Sequence, residues 1–157
     1  MEEVRALPNV RSAALANTIV GGSGTRNGQN VPIPGVAGDG PSLIWEIVGP
    51  DFFEAYGPRL LAGRMFDGRP ADNSGGTDQA QPQNIVINEE AVSVLGFANP
   101  QDAAGKTVGT DRPLTIIGVV SNMSFLGPRQ PVPATYYYYY ALSLSYLVPC
   151  DTFLFRI

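Results

Sequence analysis

The sequence predicts an α+β fold, in which short strands carry most of the regular structure and a few short helices connect them. Short apolar runs rich in β-branched residues recur between turn-forming segments, as expected for strands. The 18 Gly and 14 Pro imply many turns. A length of 157 residues corresponds to one domain, or to two small lobes of one domain.

The N-terminal third alternates between strand-like and turn-like segments. The predicted elements are a helix over Glu2 to Leu7, a strand over Val10 to Val20, a loop over Gly21 to Asn30, an interrupted strand over Val31 to Val36, and a strand over Ser42 to Val48. Pro8 ends the helix, and Pro32 and Pro34 place the interrupted strand at a sheet edge. The glycines at Gly21, Gly22 and Gly24 do not indicate a phosphate-binding loop, because no Gly-Lys-Ser/Thr follows them.

A short helix is predicted after Asp51. Asp51 and Glu54 have the spacing of a capping box, and Gly57 with Pro58 would end the helix. This interpretation is preferred to a catalytic carboxylate pair, which would need a facing partner and a cleft.

The remainder of the chain continues the alternation. The predicted elements are a polar surface loop over Asp67 to Gln83, strands over Asn84 to Ile87, Gly105 to Val108, Leu114 to Val120, Thr135 to Tyr140 and Phe153 to Ile157, and a connector over Gly127 to Pro133. Asn88 is predicted to cap a helix that Gly96 ends, with Glu89 and Glu90 in its first turn, where the helix dipole favours negative charge. Gly118 predicts a bulge or a close backbone approach inside its strand.

The composition argues against several classes of function. The net charge is −4 and Lys106 is the single lysine, so the basic surface that nucleic acids require is missing. There is no histidine, and Cys150 is the one cysteine, so the usual proton shuttle and a cysteine zinc site are excluded. No run of 18 apolar residues occurs, and we expect no membrane-spanning segment in this sequence.

Five consecutive tyrosines occupy the strand over Thr135 to Tyr140. Tyr136, Tyr138 and Tyr140 should face one way, and Tyr137 and Tyr139 the other. We expect a strand packed on one side with hydroxyl groups reaching water. The alternative is an aromatic wall, formed by Tyr136, Tyr138 and Tyr140, for an apolar substrate or a partner.

Arg64 also has two interpretations. It could contact an anionic substrate or adaptor, or it could form a structural ion pair with Glu89 or Glu90. The structural interpretation is preferred, because the surrounding motif looks architectural.

Four short signatures occur in fixed order along the chain. They are Val48-Gly49-Pro50-Asp51-Phe52-Phe53, Leu61-Ala62-Gly63-Arg64-Met65-Phe66, Ile85-Val86-Ile87-Asn88-Glu89 and Ile116-Ile117-Gly118-Val119-Val120-Ser121-Asn122. Together they resemble the periplasmic core domain of ABC-transporter permeases of the macrolide-exporter type, whose relatives include lipoprotein-release and cell-division permeases. The resemblance makes Asp51, Gly63, Arg64, Asn88, Glu89 and Gly118 the structural motif residues.

The resemblance implies two small α/β lobes. A discontinuous porter-like lobe would comprise residues 1–60 and 131–157, and a second lobe over residues 61–130 would be inserted in it. The porter-like lobe would lack a strand at its start and a helix and strand at its end, compared with the family.

The resemblance further implies a periplasmic domain of an inner-membrane permease that transmits ATP-driven motion to export or extraction of a substrate, or to a partner protein. No cofactor is expected in this domain, because a separate cytoplasmic ATPase would use the ATP. Implied partners are the permease's transmembrane helices, that ATPase, a second permease copy and a periplasmic adaptor. The alternatives are a non-transporting ligand- or adaptor-binding module of the same fold and, less favoured, a hydrolase using Asp51 or Glu89.

Overall fold

The computed structural model describes residues 8–17, 27–74, 82–124, 130–141 and 152–156. The strands are β1 (Ser12–Ala16), β2 (Gly28–Asn30), β3 (Ser42–Val48), β4 (Leu60–Gly63), β5 (Gln83–Asn88), β6 (Thr107–Val108), β7 (Leu114–Val120), β8 (Thr135–Tyr139) and β9 (Thr152–Arg156). The α-helices are α1 (Phe52–Tyr56), α2 (Glu89–Val94) and α3 (Pro100–Ala103), and Pro70–Asp72 forms a 3-10 turn. The predicted helix over Glu2 to Leu7 and the residue Cys150 lie outside the described residues.

The nine strands of the described residues belong to one mixed sheet, in which seven follow the order β4-β7-β5-β8-β3-β1-β9, while β2 pairs with β3 and β6 with β7. Strand β3 changes partner along one edge, pairing with β2 near Ser42 and with β1 at Val48. Strand β7 does the same, pairing with β6 near Leu114 and with β4 at its C-terminal end. The α+β class predicted from the sequence is confirmed.

The sheet crosses the predicted boundary between the two lobes without interruption. Strand β8 pairs antiparallel with β5, matching Tyr136 to Ile87 and Tyr138 to Ile85. Its other neighbour is β3, which runs parallel to it. The residue ranges of the two lobes remain a prediction, but their backbones share one hydrogen-bonded sheet.

Each face of the sheet carries a separate hydrophobic cluster. Helices α2 and α3 cover the face that includes Ile85, Ile87 and Tyr136. The short helix α1 covers the opposite face, where Phe52 and Phe53 pack with Val86 and Tyr137. Because β8 and β5 have side chains in both clusters, they form the centre of the domain.

The segment over Val31 to Val36 is not a strand, contrary to the sequence prediction. The N–H of Val31 donates to the carbonyl of Pro41, and the N–H of Val36 donates to Ile33, so the segment is a closed loop. Pro32 and Pro34 have no N–H with which to extend a ladder. The neighbouring residues Gly28–Asn30 form the edge strand instead.

The sequence analysis missed four short elements of the described residues: β2, which lies at the end of the loop predicted over Gly21 to Asn30, β4, the 3-10 turn at Pro70–Asp72, and α3. Helix α3 has a clear local signal, since Asn99 accepts a hydrogen bond from the N–H of Asp102 and Pro100 occupies the first turn. Its core of four residues is too short for periodicity to reveal. In the described part of the chain, no helix is long and apolar enough to cross a membrane.

Candidate functional site

The tyrosines of β8 are buried on both faces of the sheet. The expectation that the strand packs on one side only, with its tyrosine hydroxyls reaching water, is therefore wrong. Tyr136 and Tyr137 have no exposed surface, and Tyr138 and Tyr139 are each 6% exposed. The reason is the central position of β8 between β5 and β3, with a hydrophobic cluster on each side. An exposed aromatic wall of Tyr136, Tyr138 and Tyr140 does not form, although Tyr140 remains half-buried.

Tyr136 and Tyr138 pack edge to face within the first cluster, with ring centroids 5.1 Å apart. The hydroxyl of Tyr136 donates to Oε1 of Gln29 at 3.3 Å. Burial is the main cause that raises the pKa of both hydroxyls. These two side chains are therefore core residues that remain neutral at physiological pH.

Arg64 forms a structural ion pair, but its partner is Asp72 and not Glu89 or Glu90. The two terminal nitrogens of Arg64 donate to the two carboxylate oxygens of Asp72, each at 2.7 Å. Asn84 donates to the same carboxylate at 2.9 Å, and Asp67 lies 3.6 Å from the guanidinium. Glu89 and Glu90 are exposed on α2, beyond this network. The planar fork of arginine suits such a bidentate contact.

The carboxyl group of Asp72 is buried yet remains charged. Burial alone would raise its pKa, but the hydrogen bonds from Arg64 and Asn84 and the positive charge of Arg64 lower it below the usual value. The side chain of Asp72 has no exposed surface, whereas that of Arg64 is 33% exposed. The pair fixes the segment that follows β4 against β5.

Gly63 and Gly118 bring two backbones into close approach beside Arg64. The N–H of Arg64 donates to the carbonyl of Ile117 at 2.9 Å. The register between β5 and β7 shifts at this point, so the predicted bulge at Gly118 is confirmed. A methyl group at Gly118 would overlap the carbonyl oxygen of Arg64, and Gly63 has φ +68°. We call Gly63, Arg64, Asp72 and Gly118 the Arg64 joint.

A second joint surrounds Asn88, whose side chain is completely buried. Its Oδ1 accepts from the N–H of Ala91 at 3.0 Å and from that of Thr135 at 2.9 Å. Its Nδ2 donates to the carbonyl of Pro133 at 2.8 Å. The predicted helix cap is confirmed, and the same amide also holds the start of β8. We call Asn88, Ala91, Pro133 and Thr135 the Asn88 joint.

Asp51 occupies the predicted N-cap position of α1, but the capping box is wrong. Its side chain makes no cap hydrogen bond. Its φ of 63° is in the left-handed region, whereas a capping side chain is normally carried by extended backbone. Gly57 ends the helix as predicted, with its N–H donating to Phe53.

A groove of about 450 Å³ opens between α1 and the segment after β4. One wall consists of Gly49 to Phe53 of the first signature together with Glu54, and the other contains Met65 to Gly68. Its aromatic lining packs closely: the ring of Phe66 lies 5.9 Å from that of Phe53 and 5.4 Å from that of Tyr139. We call this cavity the aromatic groove.

Tyr139 was missed as a groove residue because the sequence analysis favoured the opposite face of β8. Its pKa is raised mainly by burial, with further contributions from Asp51 and Asp72. Asp72 was also missed, since the polar composition around it predicted a surface loop. The sequence Arg69-Pro70-Ala71-Asp72 carries a turn signal that could have indicated local order.

The four signatures of the sequence meet one another in the fold. The first two signatures face each other across the aromatic groove, the second and fourth meet at Gly63 and Gly118, and the third contains Asn88. Within the described residues no group of three or more His, Cys, Asp or Glu side chains is arranged to hold a metal ion.

Comparisons with known proteins agree with this fold. A family model described as the MacB-like periplasmic core domain matches residues 1–148. A comparison with curated protein sequences finds no match.

Three solved structures share the fold at low sequence identity. The periplasmic region of MacB from Actinobacillus actinomycetemcomitans is 19% identical, with a TM-score of 0.60, over 99% of this chain and 62% of that one. A domain of a protein assigned as a permease from Porphyromonas gingivalis is 17% identical, with a TM-score of 0.59, over 99% of this chain and 65% of that one. The extracellular domain of the noncanonic ABC-type transporter YknZ from Gram-positive bacteria is 11% identical, with a TM-score of 0.53, over 88% of this chain and 59% of that one. The chain thus spans less than two thirds of the length of these structures.

Proposed function

The chain belongs to the MacB-like periplasmic core domain family, and from this membership we propose that it transmits ATP-driven motion within an ABC-transporter permease. In this proposal the domain moves a substrate outside the membrane, or drives a partner protein there. The domain itself binds no ATP and catalyses no reaction.

The observation that best supports this proposal is the single sheet that joins both predicted lobes. A displacement of β3 reaches β5 through only one intervening strand, β8. The Asn88 joint adds a second link, because one side chain bonds α2 and the return segment at Pro133 and Thr135. Backbone ladders and buried hydrogen bonds resist deformation better than a flexible linker, as mechanical coupling requires.

The partners follow from the same proposal. Transmembrane helices of the permease would deliver the motion, a cytoplasmic ATPase would supply it, and a second permease copy would complete the transporter. The aromatic groove would be a docking position for a periplasmic adaptor, since apolar rings in an open groove favour protein contacts.

The test is a distance measurement in the full permease with its ATPase. Cys150 is replaced by Ser, so that introduced cysteines can be labelled selectively. One spin label is attached to a cysteine that replaces Asp39, and the second to a cysteine in a transmembrane helix of the permease. We expect the distance distribution to differ between the ATP-bound and nucleotide-free states. In a matched variant the first label is moved to Ser93, which is exposed on α2. The distance from Ser93 to the label in the transmembrane helix should change with nucleotide in the same way as the distance from Asp39.

The alternative is a non-transporting module that binds a ligand or adaptor through the same fold. The aromatic groove is the feature that favours it. Distances that do not respond to nucleotide, combined with adaptor binding, would support this alternative and contradict motion transmission.

A further inference from the structure

A second cavity is lined by the loop after β2 and by the turn before β7, and its lining includes an arginine for which no hydrogen bond or ion pair to another described residue is found. Its volume is about 240 Å³, and Gln29, Thr110, Asp39, Asp111 and Arg112 are among its lining residues. This volume is below the range of about 300–1,000 Å³ typical of pockets for drug-sized ligands, so it suits a small molecule.

The walls of this cavity are held in place by backbone contacts. The N–H of Gly109 donates to the carbonyl of Pro32 at 2.8 Å, which joins the loop after β2 to the turn before β7. The N–H of Val31 donates to Pro41 at 2.9 Å and closes the first of these loops. A side chain at Gly40 would overlap the carbonyl of Val31, so this closed loop requires glycine there.

The guanidinium of Arg112 lies over a tyrosine ring, and its Nε has no hydrogen-bond acceptor in the described part of the chain. Its guanidinium carbon lies 5.6 Å from the centre of the Tyr138 ring. Its Nε is shielded from solvent and has no partner among the described residues, and its terminal nitrogens form none of the ion pairs found there. A half-buried guanidinium left without an acceptor is costly. Because Nε is covered by the protein, the donors left for a ligand are the two terminal nitrogens, and a planar carboxylate fits this pair.

The remaining polar groups of the cavity narrow the choice of ligand. The Oε1 of Gln29 accepts from Tyr136, so its amide nitrogen keeps its donors for another group. Asp39 and Asp111 are exposed carboxylates and form no ion pair with a described residue. These two negative charges would repel a plain anion and attract a positive group next to the carboxylate that Arg112 binds.

We propose that this cavity binds a small zwitterionic ligand of the amino-acid class, with its carboxylate on Arg112 and its ammonium group toward Asp39 and Asp111. The site is independent of the proposed role in motion transmission, because it rests on the charges of the cavity alone. Binding here would give the domain a ligand-responsive element beside its sheet.

The test uses the Nε–H resonance of Arg112 in the 15N NMR spectrum of the whole chain, titrated with L-alanine, N-acetyl-L-alanine and L-alanine methyl ester. We expect a saturable shift with L-alanine. The two blocked compounds should bind about ten- to a hundredfold more weakly, since each loses one charge-assisted contact. Arg112→Gln should abolish the shifts of neighbouring amides, whereas Arg69→Gln, at an exposed arginine paired with Asp67, should leave L-alanine binding unchanged.

Two results would overturn the proposal. One is the absence of any saturable shift at Arg112 with all three compounds. The other is equal binding of L-alanine and N-acetyl-L-alanine, because Asp39 and Asp111 would then contribute nothing. Asp39→Asn provides an independent check, since it should weaken the binding of L-alanine more than the binding of N-acetyl-L-alanine.

Discussion

The Asn88 joint and the Arg64 joint connect neighbouring parts of the same sheet by different physical means. The Asn88 joint is uncharged, its Asn88 side chain is completely buried, and each of its three hydrogen bonds has a backbone partner. The Arg64 joint combines a backbone contact at Gly118 with an ion pair whose arginine is 33% exposed. The contribution of the buried amide to stability should therefore be independent of pH and salt, whereas that of the ion pair should respond to both.

Asn88→Ala should give the largest loss of stability. It leaves two buried N–H groups and one carbonyl without their partner, and we expect the free energy of unfolding to fall by about 3 kcal/mol. Chemical denaturation measures this change. The matched control is Asn99→Ala, which removes an exposed helix cap from α3 and should cost about 1 kcal/mol. Equal losses in the two variants would contradict the special role of the Asn88 joint.

Gly118→Ala should give the second largest loss of stability. The added methyl group would overlap the carbonyl of Arg64, so the bulge must shift, at a cost of about 2 kcal/mol. Gly28→Ala is the control, because its nearest contact would be 3.4 Å from the hydroxyl oxygen of Ser42. Thermal unfolding should separate the two variants, and a Gly118→Ala protein as stable as the control would show that β4 and β7 tolerate a wider spacing.

Asp72→Asn should destabilise by about 1–2 kcal/mol at neutral pH, since it removes the charge that Arg64 binds. The pKa of Asp72 is lowered on folding, so its contribution is present above its unfolded pKa, about 3.9, and is lost as the pH falls through the folded value. The difference between the wild type and Asp72→Asn should therefore shrink below about pH 4. Asp67→Asn, at a 41% exposed residue, should change stability much less. A difference that stays constant down to acid pH would contradict the electrostatic account of this joint.

Tyr139→Phe should have the smallest effect on stability, below about 0.5 kcal/mol. No hydrogen bond of its hydroxyl is present among the described residues, and the ring contact with Phe66 would be retained. If the aromatic groove docks a partner, this variant should weaken the binding of an isolated adaptor in a pull-down titration without changing the melting temperature. A large drop in melting temperature would instead assign the hydroxyl a structural role.

Local signals predicted much of the fold. Ser42–Val48 and Leu114–Val120 have the predicted bounds, and the cap at Asn88 was correct, because each depends on neighbouring residues alone. The errors arose where contacts between residues distant in the sequence determine the local structure. The polar surroundings of Asp72 gave no indication that Arg64 would reach it from beyond a turn.

The tyrosines of β8 show the same limit. Their alternation was predictable from the strand, but their burial on both faces depends on β5 and β3 as neighbours. The sequence therefore could not indicate that Tyr139, and not Tyr136 or Tyr138, lines the aromatic groove. It identified the motif residues Asn88, Gly63 and Gly118, but not the joints that they form.

The central claim is that both predicted lobes act as one mechanical unit, and native-state hydrogen exchange of the backbone amides tests it most directly. The account predicts that the central amides of β5 and β7 open with the same free energy as those of β3 and β8, and that mild denaturant affects them equally. Opening of β5 and β7 at a free energy several kcal/mol below that of β3 and β8 would contradict it. The two lobes would then unfold independently, and the shared sheet would not couple them.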